Sequence, residues 1–286
     1  QIITIGLTAI LLFMSCAIIV LAIKVIDSDS AEDVAKATEE KYGKLLNFFE
    51  GAGDGTAEYT KKYENLYVDN DFTYVKPETK KCYLTFDDGP YAGNTDKILD
   101  VLKAYNVKAT FFVVYNDSEE AKALYKRIVD EGHTIGIHTA SHKYVEIYSS
   151  VDAYLEDFNK LYEYLKEVTG VEAEIFRFPG GSLNTYNETI YQELISEMLR
   201  RGFTYYDWNV SSGDAKGAEV STNEIIEKVK SSDSQMNKKV ILLHDGPGHG
   251  NTVEALDEII EAMLEQGYEL EGLSNKVEPV VFGYAS

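Results

Sequence analysis

Short apolar runs alternate with amphipathic helical stretches from about residue 80 to the end of the chain. The runs that we predict as strands are residues 82–86, 109–114, 134–137, 174–177, 204–208, 240–243 and 279–282. Helical periodicity lies between most of them, at residues 95–105, 118–131, 151–169, 189–201, 222–230 and 251–266. Such alternation predicts a parallel sheet with helices outside it. Seven units without a dinucleotide-binding glycine motif indicate a closed or nearly closed α/β barrel.

The beginning of the chain has a different pattern. Residues 2–26 are apolar with one charge, Lys24, and such a run crosses a hydrocarbon core of about 30 Å as a helix. We therefore predict a transmembrane anchor over residues 1–26. A cleaved signal peptide is the alternative, but the run is longer than a usual signal core and no small-residue cleavage site follows it closely. Lipoprotein processing at Cys16 is disfavoured by the bulky residues before it.

Residues 27–79 are acidic and polar, with a glycine-rich break at residues 51–55. They predict a stalk or linker between the anchor and a domain over residues 80–286. The scarcity of basic residues after the anchor favours translocation of the C-terminal part of the chain, which predicts a single-pass protein with its domain outside the membrane. The apolar positions of the stalk do not form a sustained heptad, so we expect a monomer.

Composition narrows the possible functions. With 48 acidic against 27 basic side chains, the formal net charge is -21, which would repel the phosphates of nucleic acid. We therefore expect no nucleic-acid partner. The hydrophobic content of 44% is sufficient for a folded core. Two cysteines, Cys16 and Cys82, do not make a disulfide framework.

Two adjacent carboxylates, Asp87 and Asp88, follow the first predicted strand of the domain in the motif Thr-Phe-Asp-Asp-Gly-Pro. Neighbours along a regular strand point to opposite faces, so both reach one site only if the chain leaves the strand there. Gly89 and Pro90 favour such a departure. A surface turn is the alternative interpretation of this motif.

Two histidines, His138 and His142, follow the predicted strand at residues 134–137. Imidazoles four residues apart share a face of a helical turn and can hold one divalent ion, which leaves positions for a carboxylate and water. Two structural histidines are the alternative. His133 precedes the strand, so we expect it to face away from the site as a structural residue.

Three further motifs end predicted strands. Arg177 is followed by a Pro-Gly-Gly turn that exposes backbone N–H groups, and such donors can stabilise a developing oxyanion. Asp207 and Asp214 lie in the next motif, and His244 ends a strongly apolar strand, where its ordinary pKa near neutrality suits an acid. A capping aspartate and a ring that closes the rim are the alternatives. In a parallel barrel all these strand ends meet at one rim.

Together the five motifs resemble the ordered signature of the polysaccharide deacetylase family, carbohydrate esterase family 4, with its NodB-like domain. The resemblance covers roughly residues 80–271. It implies a distorted (β/α) barrel of about seven parallel strands and a catalytic divalent metal, commonly Zn²⁺. By the same resemblance Asp88, His138 and His142 are the metal ligands.

The resemblance also implies roles for the other polar residues. Asp87 is the expected general base, and Arg177 is expected to orient it. Asp214 is expected to pair with that arginine, and His244 is the expected general acid.

Four residues are expected to bind substrate. The resemblance implies that the Gly180 amide helps to bind the oxyanion and that Leu242 lines the pocket for the acetyl methyl group. We add Tyr91 and Trp208 as substrate-binding residues.

One departure from the family concerns the groove for the sugar. The family often has Trp directly after the aspartate of its fourth motif, whereas Ala215 follows Asp214 here. Trp208 lies six residues earlier, so the sugar or subsite that the groove accepts is open.

The predicted function is metal-dependent removal of N-acetyl groups from a cell-wall or extracellular glycan, with N-acetylglucosamine units of peptidoglycan favoured. A metal held by two neutral imidazoles and one carboxylate can polarise an amide carbonyl and lower the pKa of water. O-deacetylation of a xylan-type polysaccharide is one alternative. A catalytically inactive glycan-binding domain is the other.

Overall fold

A computed structural model of the chain describes residues 57–282. The predicted transmembrane anchor at residues 1–26 lies outside the described residues, as do residues 27–56 and 283–286. No helix within residues 57–282 combines the length and the apolar character needed to cross a membrane.

Parallel strands form one sheet in the described part of the chain. They are β1 (Lys81–Asp87), β2 (Thr110–Val113), β3 (Thr134–Ile137), β4 (Ile175–Phe176), β5 (Thr204–Tyr205), β6 (Val210–Ser211), β7 (Lys238–His244) and β8 (Glu269–Leu270). The sheet order is β5-β4-β3-β2-β1-β7-β6, and β8 pairs with β1 beside this path. The seven strands of the path curl into a half-barrel with β5 and β6 at its edges. The prediction of a parallel α/β fold with about seven strands is therefore confirmed.

The two longest strands of the sheet are β1 and β7, and their register positions the site. Both strands are buried along almost their whole length, which explains why their sequences are continuously apolar rather than alternating. Thr85 pairs with Leu242, and Asp87 pairs with His244. The predicted base and the predicted acid are thus neighbours at the carboxyl ends of adjacent strands.

Helices cover the sheet between successive strands. They are α1 (Thr95–Ala104), α2 (Glu119–Asp130), α3 (Tyr144–Ile147), α4 (Val151–Thr169), α5 (Tyr191–Arg200), α6 (Thr222–Lys230) and α7 (Gly250–Glu265). Local sequence sets their ends. The side chain of Ser150 accepts a hydrogen bond from the Ala153 amide at the start of α4, and Gly170 ends that helix with φ 74°.

The predicted strand at residues 279–282 is wrong. This segment makes no strand ladder in the described structure, and it is held by single hydrogen bonds instead. The Asp207 amide donates to the Val280 carbonyl at 2.8 Å, and the Phe282 amide donates to Oδ2 of Asp207 at 2.7 Å. Two-residue strands, β6 and β8, complete the sheet.

Residues 57–79, inside the predicted stalk, lie against the domain. The guanidinium of Arg201 is fully buried and donates to the carbonyls of Tyr59 at 3.0 Å and of Lys62 and Tyr63 at 3.1 Å. Glu197 neutralises that charge from one turn earlier in α5, at 2.7 Å. This buried arginine fixes the path of the chain into the domain.

Candidate active site

Five motifs come together at the carboxyl edge of the half-barrel, as the order of the strands predicts. They follow β1, β3, β4, β6 and β7, and their side chains are Asp87, Asp88, His138, His142, Arg177, Asp214 and His244. Three separate groups of contacts organise them: a possible metal triad, a buried acid–arginine pair and an acid–histidine pair.

The possible metal triad consists of Asp88, His138 and His142. Oδ1 of Asp88 lies 3.2 Å from Nε2 of His142 and 3.6 Å from Nε2 of His138. The ligand atoms of all three lie within 4.8 Å of one another. Asp88 has φ 74°, so the chain leaves the strand there. The carboxylate of Asp88 therefore lies on the same side of the sheet edge as that of Asp87. The predicted departure from the strand is confirmed.

The donor atoms of the triad fit a divalent cation. Oδ1 of Asp88 is buried and accepts no hydrogen bond within the described residues. Burial lowers the pKa of His138 to about 3, so its imidazole is neutral. Nδ1 of His138 lies 2.8 Å from the Arg177 carbonyl, which leaves Nε2 as a free ligand. Two neutral imidazoles and one carboxylate with open positions are a typical catalytic zinc set.

The segment between the two histidines is a loop and not the helical turn that their spacing predicted. His142 has φ 54° and Thr139 has φ 67°. Asp157 of α4 holds this loop: its Oδ1 accepts hydrogen bonds from the Ala140 amide at 2.5 Å and the Ser141 amide at 3.0 Å. Sequence reasoning missed Asp157 because its partners lie sixteen or more residues away.

The predicted base, Asp87, is buried against Arg177. Its Oδ1 accepts a hydrogen bond from a terminal nitrogen of Arg177 at 2.9 Å, and its Oδ2 lies 3.7 Å from Nε2 of His138. Burial raises the pKa of Asp87, although the charge of the guanidinium opposes that rise. Asp87 is thus a basic carboxylate next to the triad, with its orientation fixed.

Three other N–H groups of Arg177 donate hydrogen bonds within the fold. They donate to Oγ1 of Thr85 at 2.7 Å, to the Tyr206 carbonyl at 2.9 Å and to the Asp207 carbonyl at 3.1 Å. The guanidinium carbon also lies 4.4 Å from the centre of the Phe112 ring. The expected orienting role of Arg177 fits these contacts.

The expectation that Asp214 pairs with Arg177 is wrong. Oδ1 of Asp214 lies 2.8 Å from Nδ1 of His244, and Oδ2 accepts hydrogen bonds at 2.8 Å from the His244 amide and from Oγ1 of Thr252. The physical reason is topology: the 3₁₀ helix that begins at Asp214 follows β6, whose neighbour in the sheet is β7 and not β4. Asp214 is therefore the partner of the predicted acid.

Asp214 controls the protonation of His244. Burial would lower the pKa of His244, but the hydrogen bond and the charge of Asp214 outweigh burial and raise that pKa to about 9. The imidazole is therefore protonated at neutral pH and can donate a proton from Nε2. Asp245, adjacent in sequence, does not make this contact: its carboxylate accepts from Oγ1 of Thr95.

Asp245 supports the turn after β1 instead. A side chain at Gly89 would place Cβ 2.1 Å from Oδ2 of Asp245, so only glycine fits there. Burial raises the pKa of Asp245 to about 7, with Thr95 opposing and the nearby Asp88 and Asp87 adding to the rise.

The predicted substrate-binding residues lie in different settings. Gly180 is exposed with φ 77°, and Leu242 is buried in β7. Tyr91 is 43% exposed and lines a surface cavity of about 270 Å³. Trp208 is half-buried, with its ring 4.8 Å from the Phe282 ring and 5.7 Å from the Arg177 guanidinium carbon.

His133 is buried and accepts a hydrogen bond from the Ala109 amide, as expected of a structural residue.

Three aromatic side chains near the site were missed. Tyr144 lies edge-on to His142 with ring centres 5.2 Å apart, and Tyr186 lies 5.0 Å from Tyr144. The ring of His249 stacks on His244 at 5.1 Å. Tyrosine is common in the chain, with 21 residues, so its occurrence alone gave no signal.

Comparisons with known proteins agree with this geometry. A family model described as polysaccharide deacetylase matches residues 74–199. The chain is 31% identical over 203 residues to a peptidoglycan-N-acetylglucosamine deacetylase of Bacillus cereus, which covers 68% of this chain and 69% of the relative. It is 31% identical over 209 residues to a bifunctional xylanase/deacetylase of Pseudobutyrivibrio xylanivorans, which covers 70% of this chain and 32% of that relative.

Two solved structures of deacetylases are similar to this chain. The catalytic domain of a peptidoglycan N-acetylglucosamine deacetylase from Eubacterium rectale matches with a TM-score of 0.69 and 39% sequence identity. The match covers 75% of this chain and 97% of that domain. A polysaccharide deacetylase from Bacillus cereus matches with a TM-score of 0.63 and 30% identity, over 71% of this chain and 96% of the other.

Proposed function

The chain belongs to the polysaccharide deacetylase family of carbohydrate esterases, and on that premise we propose that it removes N-acetyl groups from N-acetylglucosamine units of peptidoglycan. The observation that carries this proposal is the pairing of Asp87 with His244 in the register of β1 and β7, beside the metal triad. A base and an acid on adjacent strands can act on the two sides of one scissile bond. The substrate is supported by the relatives from Bacillus cereus and Eubacterium rectale.

We propose Zn²⁺ as the metal, held by Asp88, His138 and His142. Bound there, a divalent cation would polarise the acetyl carbonyl and lower the pKa of water. The donor set supports zinc, since three protein ligands of this kind with open positions are usual in catalytic zinc sites.

Asp87 is the group that takes the first proton. Its carboxylate accepts the proton of the attacking water as the water oxygen bonds to the acetamide carbon, and Arg177 holds the carboxylate at 2.9 Å for that transfer. Negative charge develops on the former carbonyl oxygen. The amide of Gly180, an exposed residue, is the backbone donor that we assign to it.

His244 supplies the second proton. It is protonated below about pH 9 through Asp214 and donates its proton to the sugar nitrogen as the C–N bond breaks. An amide and one water thus give acetate and a free amine. The amine then becomes cationic, which changes how wall hydrolases and cationic factors engage the polymer.

We also propose that the domain acts outside the membrane, anchored by residues 1–26. The apolar run at residues 2–26 and the acidic segment after it support this location. The expected result is that protease added outside intact cells degrades the domain, whereas a domain on the cytoplasmic side would survive until the cells are lysed.

Acetate release by the full chain, purified in a mild detergent, tests the activity. The substrates are peptidoglycan, N-acetylglucosamine oligomers and acetylated xylan, each with metal added or chelated. We expect metal-dependent release from the first two that Asp87→Asn abolishes. Release from xylan alone would assign O-deacetylation, and metal binding without release from any substrate would assign an inactive glycan-binding domain.

A further inference from the structure

Two tyrosines, Tyr144 and Tyr186, form an aromatic surface that begins at the metal triad and ends in solvent; we name this pair the tyrosine ledge. Tyr144 contacts the triad through His142, and Tyr186 continues outward from Tyr144 with ring centres 5.0 Å apart. Tyr186 is 52% exposed, which makes it one of the most exposed large apolar side chains in the described structure. The proposed deacetylation mechanism uses neither ring.

The surrounding loop holds the ledge in place. The Tyr186 amide donates to Oδ1 of Asn184 at 2.9 Å, and Nδ2 of Asn184 donates to the carbonyls of Pro179 at 3.2 Å and Gly181 at 3.1 Å. The hydroxyl of Tyr148, at the end of α3, donates to the same Pro179 carbonyl at 2.7 Å. The loop that carries Tyr186 is thus tied to the helix that carries Tyr144. The main chain at Tyr186 is thus ordered before a ligand binds, which lowers the entropy cost of binding.

The ledge also adjoins Gly180, the residue of the proposed oxyanion donor. A side chain at Gly180 would bring Cβ within 2.8 Å of Cε1 of Tyr144, so the Tyr144 ring occupies the space that residue 180 leaves open. Any polymer that presents an acetyl group to the triad and the Gly180 amide passes next to this ring.

The opposite side of the site offers a different surface. Beside His244, the exposed residue that follows Asp214 is Ala215, which has no ring on which a sugar could stack. An aromatic surface that adjoins the triad in the described structure lies on the side of α3. The C–H groups of a pyranose carry partial positive charge and are attracted to the negative face of an aromatic ring.

We propose that the tyrosine ledge is a binding subsite for a pyranose ring of the glycan, next to the sugar that loses its acetyl group, with Tyr186 as the residue on which that ring stacks. This inference rests on the proposed function for the identity of the polymer. The ledge sets how strongly an oligomer longer than one sugar is held, and Tyr144 spaces the outer ring from the triad.

Calorimetric binding of N-acetylglucosamine tetramer to the full chain tests the proposal, with Asp87→Asn as the background so that the sugar is not consumed. Tyr186→Ala is expected to raise the Kd about five- to tenfold, which corresponds to the loss of one ring contact. Tyr186→Phe keeps the ring and is expected to restore the Kd to within about twofold. Tyr67→Ala removes a comparably exposed tyrosine, 39% exposed beside Arg200, and serves as the matched control.

The outcomes test the tyrosine ledge independently of the proposed deacetylase activity. A Kd that Tyr186→Ala leaves unchanged, or an absence of tetramer binding to the background protein, overturns the ledge even if the unmodified chain releases acetate. A Kd that rises for Tyr186→Ala alone supports the ledge. That support stands even if the unmodified chain releases no acetate, in which case only the deacetylase activity fails.

Discussion

Asp214 holds His244 at two points: its Oδ1 lies 2.8 Å from Nδ1 of the ring, and its Oδ2 accepts a hydrogen bond from the main-chain amide of the same residue. The carboxylate therefore fixes both the orientation and the position of the imidazole. Its oxygens also accept hydrogen bonds from Ser212 and Thr252, so Asp214 itself has little freedom to turn.

The Asp214–His244 pair predicts the pH above which the activity falls. His244 must be protonated to act as an acid, so kcat/KM is expected to fall as the pH rises through its folded pKa of about 9. Asp214→Asn removes the charge and leaves burial, which lowers that pKa. The charges of Asp87 and Asp88 remain and still raise that pKa, so the basic limb is expected to move from about pH 9 towards 6.5, the ordinary value for histidine. The measurement is the pH profile of acetate release.

Thr252→Val is the control for this shift. It removes one hydrogen bond to Asp214 but keeps the charge, so its basic limb should stay within about one pH unit of the unmodified chain. An Asp214→Asn profile that still falls near pH 9 would show that another group sets the limb.

The triad predicts that zinc affinity depends on His142. His142→Ala removes one ligand and is expected to weaken zinc binding at least about a hundredfold, measured by competition with a chromophoric chelator. His133→Asn is the matched control, because it keeps an acceptor for the Ala109 amide and lies outside the triad. Equal loss of zinc in both variants would contradict the assignment.

Asp157 is predicted to act on the metal through the loop that it holds. Asp157→Ala removes the acceptor for the Ala140 and Ser141 amides and leaves every ligand in place. Zinc affinity is expected to fall about tenfold, as for other supporting contacts around metal sites. Asp152→Ala, on the same helix, breaks only an exposed pair with Lys62 and should keep the full affinity. Unchanged affinity in Asp157→Ala would rule out this positioning role.

Arg177 is predicted to be needed for stability as well as for activity. Arg177→Met leaves the carboxylate of Asp87 buried without its partner, which typically costs about 3–5 kcal/mol of the free energy of unfolding. Urea unfolding measures this loss. The double variant with Asp87→Asn should recover part of it, since an amide carries no charge. A double variant as unstable as the sum of both single variants would contradict this explanation.

The sequence predicts the sheet and the site best where a reactive side chain comes at the end of an apolar strand. Asp87, His138, Arg177 and His244 could be identified because each follows an apolar strand, and parallel strands bring their carboxyl ends to one edge. The two-residue strands β6 and β8 were missed because, unlike the equally short β4 and β5, they do not lie in an apolar run.

Partners across the fold were harder to predict. Whether Asp214 pairs with Arg177 or with His244 depends on which strand lies beside β6. The sequence alone does not give that strand order. The ledge was missed for a similar reason, because Tyr186 reaches Tyr144 only through the folding of its loop onto α3. Asp157 gave no signal because its partners are backbone amides, which every residue except proline carries.

The contact of His138 with residue 177 is made to a main-chain carbonyl, whereas the contact of Asp87 with that residue is made to a side chain. A single codon change at position 177 can therefore remove the support of the base while Nδ1 of His138 keeps its main-chain carbonyl partner. Loss of turnover and loss of the metal are thus separable events in the evolution of such a chain. On the proposed function, a descendant could stop releasing acetate and go on binding both the ion and the sugar.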